Sequence, residues 1–103
     1  MKTDVQETYP SPEITDLVSA LRACTTDKEA SNFLRDLLTI AELKEFANRW
    51  QMVKMLYQGL SYAAIAQKLQ TSTTTVTRVA HWLNNGMGGY KTVANRLFPK
   101  KSK

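Results

Sequence analysis

The chain has 103 residues, of which 43% are hydrophobic, and a net charge of +5. Its length fits one small domain near the lower limit for independent stability. No apolar run reaches the ~20 residues that a bilayer-spanning helix needs, and no charged-then-apolar leader opens the chain, so we expect a soluble, cytoplasmic protein. The single cysteine, Cys24, excludes an internal disulfide and fits a reducing compartment.

The first part of the chain predicts an N-terminal arm and two short amphipathic helices. Residues 1–10 are polar and aperiodic, which is typical of a flexible arm. Ser11 and Pro12 fit an N-cap and the first position of a helix. Thr26 and Glu29 form a capping-box pattern that starts a second helix. The apolar residues of the two helices recur at helical spacing: Ile14, Leu17, Val18 and Leu21 in the first, and Ala30, Phe33, Leu34 and Leu37 in the second.

A longer third helix follows. Thr39 and Glu42 repeat the capping-box pattern, and Gly59 is expected to end the helix. Trp50 is expected to belong to the core because it lies on the apolar side of this helix. That predicted side consists of Leu43, Phe46, Ala47, Trp50, Val53 and Tyr57.

Residues 61–84 carry a helix-turn-helix pattern. Ser61 fits an N-cap for a short helix from Tyr62 to Leu69, and a second helix is predicted from Thr73 to about Asn84. Two such helices cross steeply, so both need small or branched apolar residues at the crossing. The first supplies Ile65, Ala66 and Leu69, and the second supplies Val76, Val79, Ala80 and Leu83. Gln70 stands where a turn glycine is usual, so either it adopts a left-handed backbone at a cost of about 1 kcal/mol or the turn has another shape.

The opposite side of the second helix is polar. Three threonines, residues 73–75, lie in its first turn, where a recognition helix meets base edges in the major groove. Hydroxyl groups there can bond to bases or phosphates, and a threonine methyl can pack on a thymine methyl. The predicted duplex-binding residues are Lys68, Ser72, Thr73, Thr74, Thr75, Thr77, Arg78 and His81. A β-prone or merely polar loop is the alternative for the threonine run, because β-branched residues lower helix propensity.

The last predicted helix follows a glycine-rich break. Gly86, Gly88 and Gly89 cost too much backbone entropy for a continuous helix and predict a hinge. A helix from Tyr90 to Phe98 is then expected to turn three apolar residues inward. These are Val93, Ala94 and Leu97. Residues 99–103 form a basic tail.

The acidic residues are confined to the first half of the chain. All nine Asp and Glu lie in residues 1–45 with five Lys and Arg, which gives this segment a net charge of −4. Residues 46–103 carry nine Lys and Arg and no acid, a net charge of +9. A surface without carboxylates does not repel a polyanion, so the second half is predicted to bind nucleic acid. Chance clustering in an ordinary basic protein is the alternative.

The pattern as a whole predicts an all-α fold of about six helices in one domain, residues 11–98. No segment shows the alternation of a strand. Catalysis is not expected, because the chain has one histidine, its basic half has no acid, and no nucleophile–base pair can be proposed. His81 and Cys24 do not suggest a metal site, and no cofactor is expected.

Residues 37–83 resemble the tryptophan repressor superfamily in order and almost in spacing. The matching residues are Leu37, Leu38, Thr39, Arg49, Gly59, Ser61, Thr75, Val76, Thr77, Arg78 and Leu83. The short overall build and residues 83–86 are more similar to its YerC/YecD-like branch, which is described as tryptophan-repressor-related. The resemblance implies an intertwined homodimer with two reading heads about 34 Å apart, one turn of DNA.

The same resemblance places a ligand pocket on five residues. Two arginines flank the bound indole in the family's ligand-responsive members and match Arg49 and Arg78, and a ligand-holding hydroxyl matches Thr75. Val79 and Trp82 stand where those members have a glycine and a serine. The larger side chains are expected to close the pocket, because overpacking such a site costs about 1–3 kcal/mol. We therefore expect that tryptophan does not bind.

These observations predict a sequence-specific double-stranded DNA-binding transcriptional regulator, a repressor by resemblance, that is homodimeric and does not respond to tryptophan. The alternative is a helical adaptor that binds an acidic surface of the transcription machinery without reading bases. RNA is the weaker partner, because the sequence suggests no platform of exposed aromatic residues for single strands. The sequence does not decide whether a small-molecule effector binds.

Overall fold

The computed structural model describes residues 8–98, and all the regular structure in this range is helical. The six helices are α1 (Pro12–Ala23), α2 (Asp27–Leu37), α3 (Ile40–Tyr57), α4 (Tyr62–Leu69), α5 (Thr73–Asn85) and α6 (Gly89–Leu97). The all-α prediction is confirmed. Residues 8–10 precede α1 without helical structure. The rest of the predicted arm, residues 1–7, and the predicted basic tail, residues 99–103, lie outside the described residues.

Side-chain caps start the helices at the predicted residues. The Ser11 hydroxyl accepts a hydrogen bond from the backbone N–H of Ile14 at 3.2 Å. Thr39 and Glu42 form a reciprocal capping box: the Glu42 N–H donates to Thr39 Oγ1 at 3.1 Å, and the Thr39 N–H donates to Glu42 Oε1 at 2.9 Å. Each cap satisfies backbone donors that lack a partner inside the helix, so α1 and α3 begin at defined residues.

The predicted capping box of α2 differs in one of its two hydrogen bonds. Thr26 Oγ1 accepts from the Glu29 N–H at 3.1 Å, as expected. The Glu29 carboxylate, however, accepts from the backbone N–H of Thr25 at 2.8 Å and from its hydroxyl at 3.0 Å. The backbone bond from Thr25, followed by the hydroxyl bond, lowers the pKa of Glu29, because both stabilise the charged carboxylate.

The chain divides into two compact units within α3, after Leu43. The described part of the first unit holds α1, α2 and the start of α3. Neither α1 nor α2 contains a buried residue, and four aliphatic side chains of this unit are exposed: Val18, Leu21, Leu37 and Ile40. Within residues 8–98, no helix is both long and apolar enough to cross a bilayer.

The second unit holds the remainder of α3 together with α4, α5 and α6, and it contains every buried residue of the described chain. Helix α4 packs on α5, and α5 packs on α6. The four apolar positions predicted for α5 are all buried, with Val76 completely inaccessible. Ile65 is also inaccessible, and Ala66 is 7% exposed. The predicted crossing of the two helix-turn-helix segments is therefore confirmed.

The apolar side of α3 is placed differently from the prediction. Met52, which the predicted side omits, is 1% exposed, whereas Phe46 is 45% exposed. Val53 is fully buried, and Trp50 packs against the core as expected. The helix carries apolar residues around much of its circumference, so spacing alone did not identify the packed side.

The prediction for α6 was correct for one of three residues. Ala94 is fully buried, but Val93 and Leu97 are 42% and 59% exposed. The packed side is instead marked by Tyr90 and Phe98, whose rings lie 6.3 Å and 5.7 Å from the ring of Trp50. The two aromatic rings and Ala94 share one face at a spacing of four, which turns the neighbouring Val93 and Leu97 outward.

The turn between α4 and α5 has a left-handed residue at Gln70, with φ 57° and ψ 50°. The Gln70 N–H donates to the carbonyl of Gln67 at 3.3 Å, and the Thr71 N–H donates to the carbonyl of Ala66 at 2.9 Å. These bonds satisfy terminal carbonyls of α4 in the manner of a C-cap. The first of the two alternatives for this turn is therefore correct, and Gln70 carries the strain that a glycine avoids.

Replacing Gln70 with glycine is expected to raise the free energy of unfolding by about 0.5–1 kcal/mol, because relief of left-handed strain exceeds the added entropy of the unfolded chain. Urea unfolding at one protein concentration measures the change. Gly59→Ala is the opposite control. Gly59 has φ +94°, and an added Cβ would have nothing within 4 Å. The Gly59→Ala variant should therefore be less stable than the parent, and because no steric clash is added, the loss reports backbone conformation alone. A Gln70→Gly variant less stable than the parent would contradict this account of the turn.

Candidate nucleic-acid interface

The polar side of α5 is exposed along the helix. Thr74, Thr77, Arg78 and His81 are all exposed, while Val76 on the other side is completely buried. The packing against α4 and α6 therefore leaves one stripe of hydroxyl, guanidinium and imidazole groups facing solvent. The remaining predicted duplex-binding residues are exposed as well: Lys68, Ser72, Thr73 and Thr75.

The hydroxyl groups at the start of α5 differ in their bonding. Ser72 Oγ accepts from the Thr75 N–H at 3.1 Å and lies 3.1 Å from the Thr75 hydroxyl. The Thr77 hydroxyl donates to the carbonyl of Thr73 at 2.8 Å. The hydroxyls of Thr73 and Thr74 have no hydrogen bond to any residue of the described chain. Ser72 thus caps the helix, and the hydroxyl of Thr74 is free to meet an external partner.

The N-terminus of α5 adds backbone donors to this surface. The N–H groups of Thr73 and Thr74 have no acceptor within residues 8–98 and lie at the positive end of the helix dipole. Donors in this position suit a phosphate oxygen.

The basic side chains on this surface are free of acidic partners. Arg78 and Lys68 are exposed and form no ion pair with any described residue. His81 packs edge-on against Trp82, with ring centroids 5.0 Å apart and planes at 81°. His81 and Arg78 both lie on the exposed stripe of α5, where their side chains are accessible to an external partner.

A cavity of about 370 Å³ lies beside α5. Its lining consists of Glu45, Asn48, Arg49, Met52, Thr75, Arg78, Val79, Trp82 and Tyr90. All five predicted pocket residues are therefore brought together. Val79 and Trp82 line the space without filling it, since Trp82 is 59% exposed. Both side chains belong to the lining of this cavity, and the expectation that they exclude tryptophan stays a prediction.

An ion pair on α3 forms part of this lining. Arg49 Nη2 lies 2.6 Å from a carboxylate oxygen of Glu45, one helical turn earlier. The guanidinium carbon of Arg49 lies 5.4 Å from the centroid of the Phe46 ring. No other ion pair occurs in the described part of the chain. Sequence reasoning singled out Arg49 and missed Glu45, although an acid four residues before a base is a recognised helix-pair pattern.

The described residues offer no group of three or more His, Cys, Asp or Glu side chains that could hold a metal ion. The exposed groups on this surface are hydroxyls, backbone amides and the side chains of Arg78, Lys68 and His81, which are groups that can bind phosphates and base edges.

Comparison with known proteins identifies the family of this chain. A family model described as Trp repressor protein matches residues 12–98. The Bacillus subtilis (strain 168) protein named YerC, described as uncharacterised, is 31% identical over 85 residues, which is 82% of each chain.

Solved structures show the same fold. A TrpR-like protein from Eubacterium eligens ATCC 27750 superposes with a TM-score of 0.81 at 32% identity, covering 90% of this chain and 96% of that one. A putative Trp repressor from Staphylococcus aureus gives a TM-score of 0.80 at 29% identity, covering 89% and 92%. The resemblance identified from the sequence is confirmed.

Proposed function

The chain belongs to the Trp repressor family, and from this premise we propose that it is a sequence-specific double-stranded DNA-binding transcriptional regulator, acting as a repressor. The exposed stripe of α5 carries this proposal. Arg78 and Thr74 lie on it without partners in the described chain, while the other side of the helix is held by the core. A recognition helix needs this combination of a fixed orientation and free polar groups.

The proposed contacts divide into two kinds. The N–H groups and hydroxyls at the start of α5, with Lys68 near the end of α4, are placed to bind phosphates and set the register on the duplex. We assign Arg78 and Thr74 to base edges, since a guanidinium can pair with guanine and a threonine methyl can contact thymine. The absence of acids after Glu45 supports the same assignment, because this half of the chain does not repel the backbone.

We further propose that the protein is a homodimer that binds palindromic sites. Helices α1 and α2 carry apolar stripes, yet neither has a buried residue in the single chain. Exposed apolar surface of this kind is costly in water, and a second copy of the chain offers the same surface for mutual burial. A two-fold axis then relates two α5 helices and favours sites with the same symmetry.

Selection of bound duplexes from a random pool, at two salt concentrations, tests the function. We expect a palindromic consensus and an affinity whose logarithm falls with the logarithm of salt concentration, with a slope of roughly 0.9 per neutralised phosphate. If the selected duplexes share no consensus, base readout is rejected. The basic face would then be explained by the alternative function, a helical adaptor that binds an acidic protein surface.

Free tryptophan is expected not to bind. Arg49 already holds a carboxylate, that of Glu45 at 2.6 Å, so a ligand carboxylate must displace it. Val79, which is 6% exposed, and Trp82 narrow the cavity beside it. Isothermal titration calorimetry with millimolar tryptophan should give no binding heat, and selection with and without tryptophan should return the same consensus. A micromolar dissociation constant would show that the narrowed cavity still accepts the ligand.

A further inference from the structure

We propose that Arg49 is a positioning residue for duplex binding, which acts by holding the Glu45 carboxylate away from Arg78. The inference rests on the proposed function and extends it to a residue on α3 that lies outside the recognition helix. Glu45 is the last acid in the sequence, and it lines the same cavity as Arg78 and Thr75. Among the described residues that line this cavity, Glu45 is the one with a carboxylate.

Arg49 is oriented to neutralise this carboxylate. The 2.6 Å contact between Arg49 Nη2 and Glu45 is a charge-assisted hydrogen bond. The Phe46 ring, 5.4 Å from the guanidinium carbon, supports Arg49 through a cation–π contact. No ion pair joins Glu45 to Arg78, which keeps its guanidinium available to the duplex.

Loss of Arg49 changes the partner that Glu45 meets. Arg78 is the other guanidinium in the cavity lining, so the freed carboxylate attracts it and competes with DNA for the same donors. The unpaired negative charge also repels a phosphate brought close to Arg78. Both effects weaken duplex binding although Arg49 itself touches no DNA.

The experiment measures affinity for the selected duplex by fluorescence anisotropy over a range of salt concentrations. Arg49→Ala should bind about tenfold more weakly and lose about 0.9 from the salt slope, because Arg78 is diverted from its contact. Glu45→Gln alone should change affinity by less than about threefold. The double variant, which combines Glu45→Gln with Arg49→Ala, should have the same affinity and the same salt slope as Glu45→Gln alone.

Asp36→Asn in the Arg49→Ala background is the matched control. Asp36 is an exposed acid on α2 and forms no ion pair in the described chain. Its replacement by asparagine removes one negative charge, as Glu45→Gln does, but far from Arg49 in the sequence. It should not restore binding. Arg49→Gln serves as a second variant, and far-ultraviolet circular dichroism checks that each variant is folded.

Two results would overturn this inference but leave the proposed function standing. In the first, Arg49→Ala binds as the parent does. In the second, the double variant keeps a reduced salt slope, which would mean that Arg49 contacts a phosphate directly. Failure of the parent protein to bind any duplex specifically would instead reject the proposed function, and this inference with it.

Discussion

Replacement of Arg78 with alanine is expected to weaken binding of the selected duplex by about 1–3 kcal/mol, which is about 5- to 150-fold in affinity. Arg78 lies on the exposed stripe of α5 and forms no ion pair with the described residues, so its five N–H donors are available to the duplex. The substitution removes a side chain that faces solvent, and the core beneath it at Val79 and Ala80 is unchanged. Fluorescence anisotropy at fixed salt measures the loss.

Lys91→Ala provides the charge-matched control for Arg78→Ala. Lys91 is an exposed cation on α6, beside Asn84 and Asn95, and its removal changes the net charge equally. If the α5 stripe binds DNA, Arg78→Ala should lose far more affinity than Lys91→Ala, and relaxed selectivity at one base pair would assign Arg78 to base readout. Equal and small losses in the two variants would show that the protein responds only to overall charge.

Substitution of Leu21 with aspartate is expected to convert a dimer into a monomer of 11.6 kDa. Leu21 lies on the apolar stripe of α1 and is 43% exposed in the single chain, although it is a large aliphatic residue. Burying a leucine contributes about 1.5–3 kcal/mol, and a symmetric interface contains each residue twice. The dimer dissociation constant should therefore rise at least about a hundredfold, and further because a buried carboxylate is penalised.

Sedimentation velocity over a range of protein concentrations measures this change. Ser19→Asp introduces the same charge on an exposed position of α1 away from the apolar stripe, and it should leave the dimer intact. A monomeric parent protein at micromolar concentration would contradict the proposed homodimer. If duplexes selected with Leu21→Asp contain a single half-site and no palindrome, the interface at α1 is what pairs the two α5 helices on the duplex.

Local patterns in the sequence identified most of the helix-turn-helix. Val76, Val79, Ala80 and Leu83 recur at helical spacing, and all four are buried. Capping signals placed the starts of α1, α2 and α3, because a cap depends on residues three positions apart. The strained backbone at Gln70 was one of two alternatives, and the path of the chain between α4 and α5 selected it.

The tertiary structure decided which of several apolar residues face the core. Spacing gives the angle between side chains around a helix, but it does not say which sector meets a neighbouring helix. For this reason the spacing predicts that Val93, Ala94 and Leu97 all face inward, although only Ala94 of these three is buried, and it does not single out Met52.

By itself, the sequence determined the helical fold, the exposed polar stripe of α5 and the separation of acids from the basic half, because these depend on residue type and local spacing. The resemblance already groups Arg49 and Arg78 in one pocket, whereas only the tertiary structure placed Glu45 in the lining of the same cavity. Residues from α3 and α5 meet there through packing between helices distant in sequence, and no local pattern specifies that meeting.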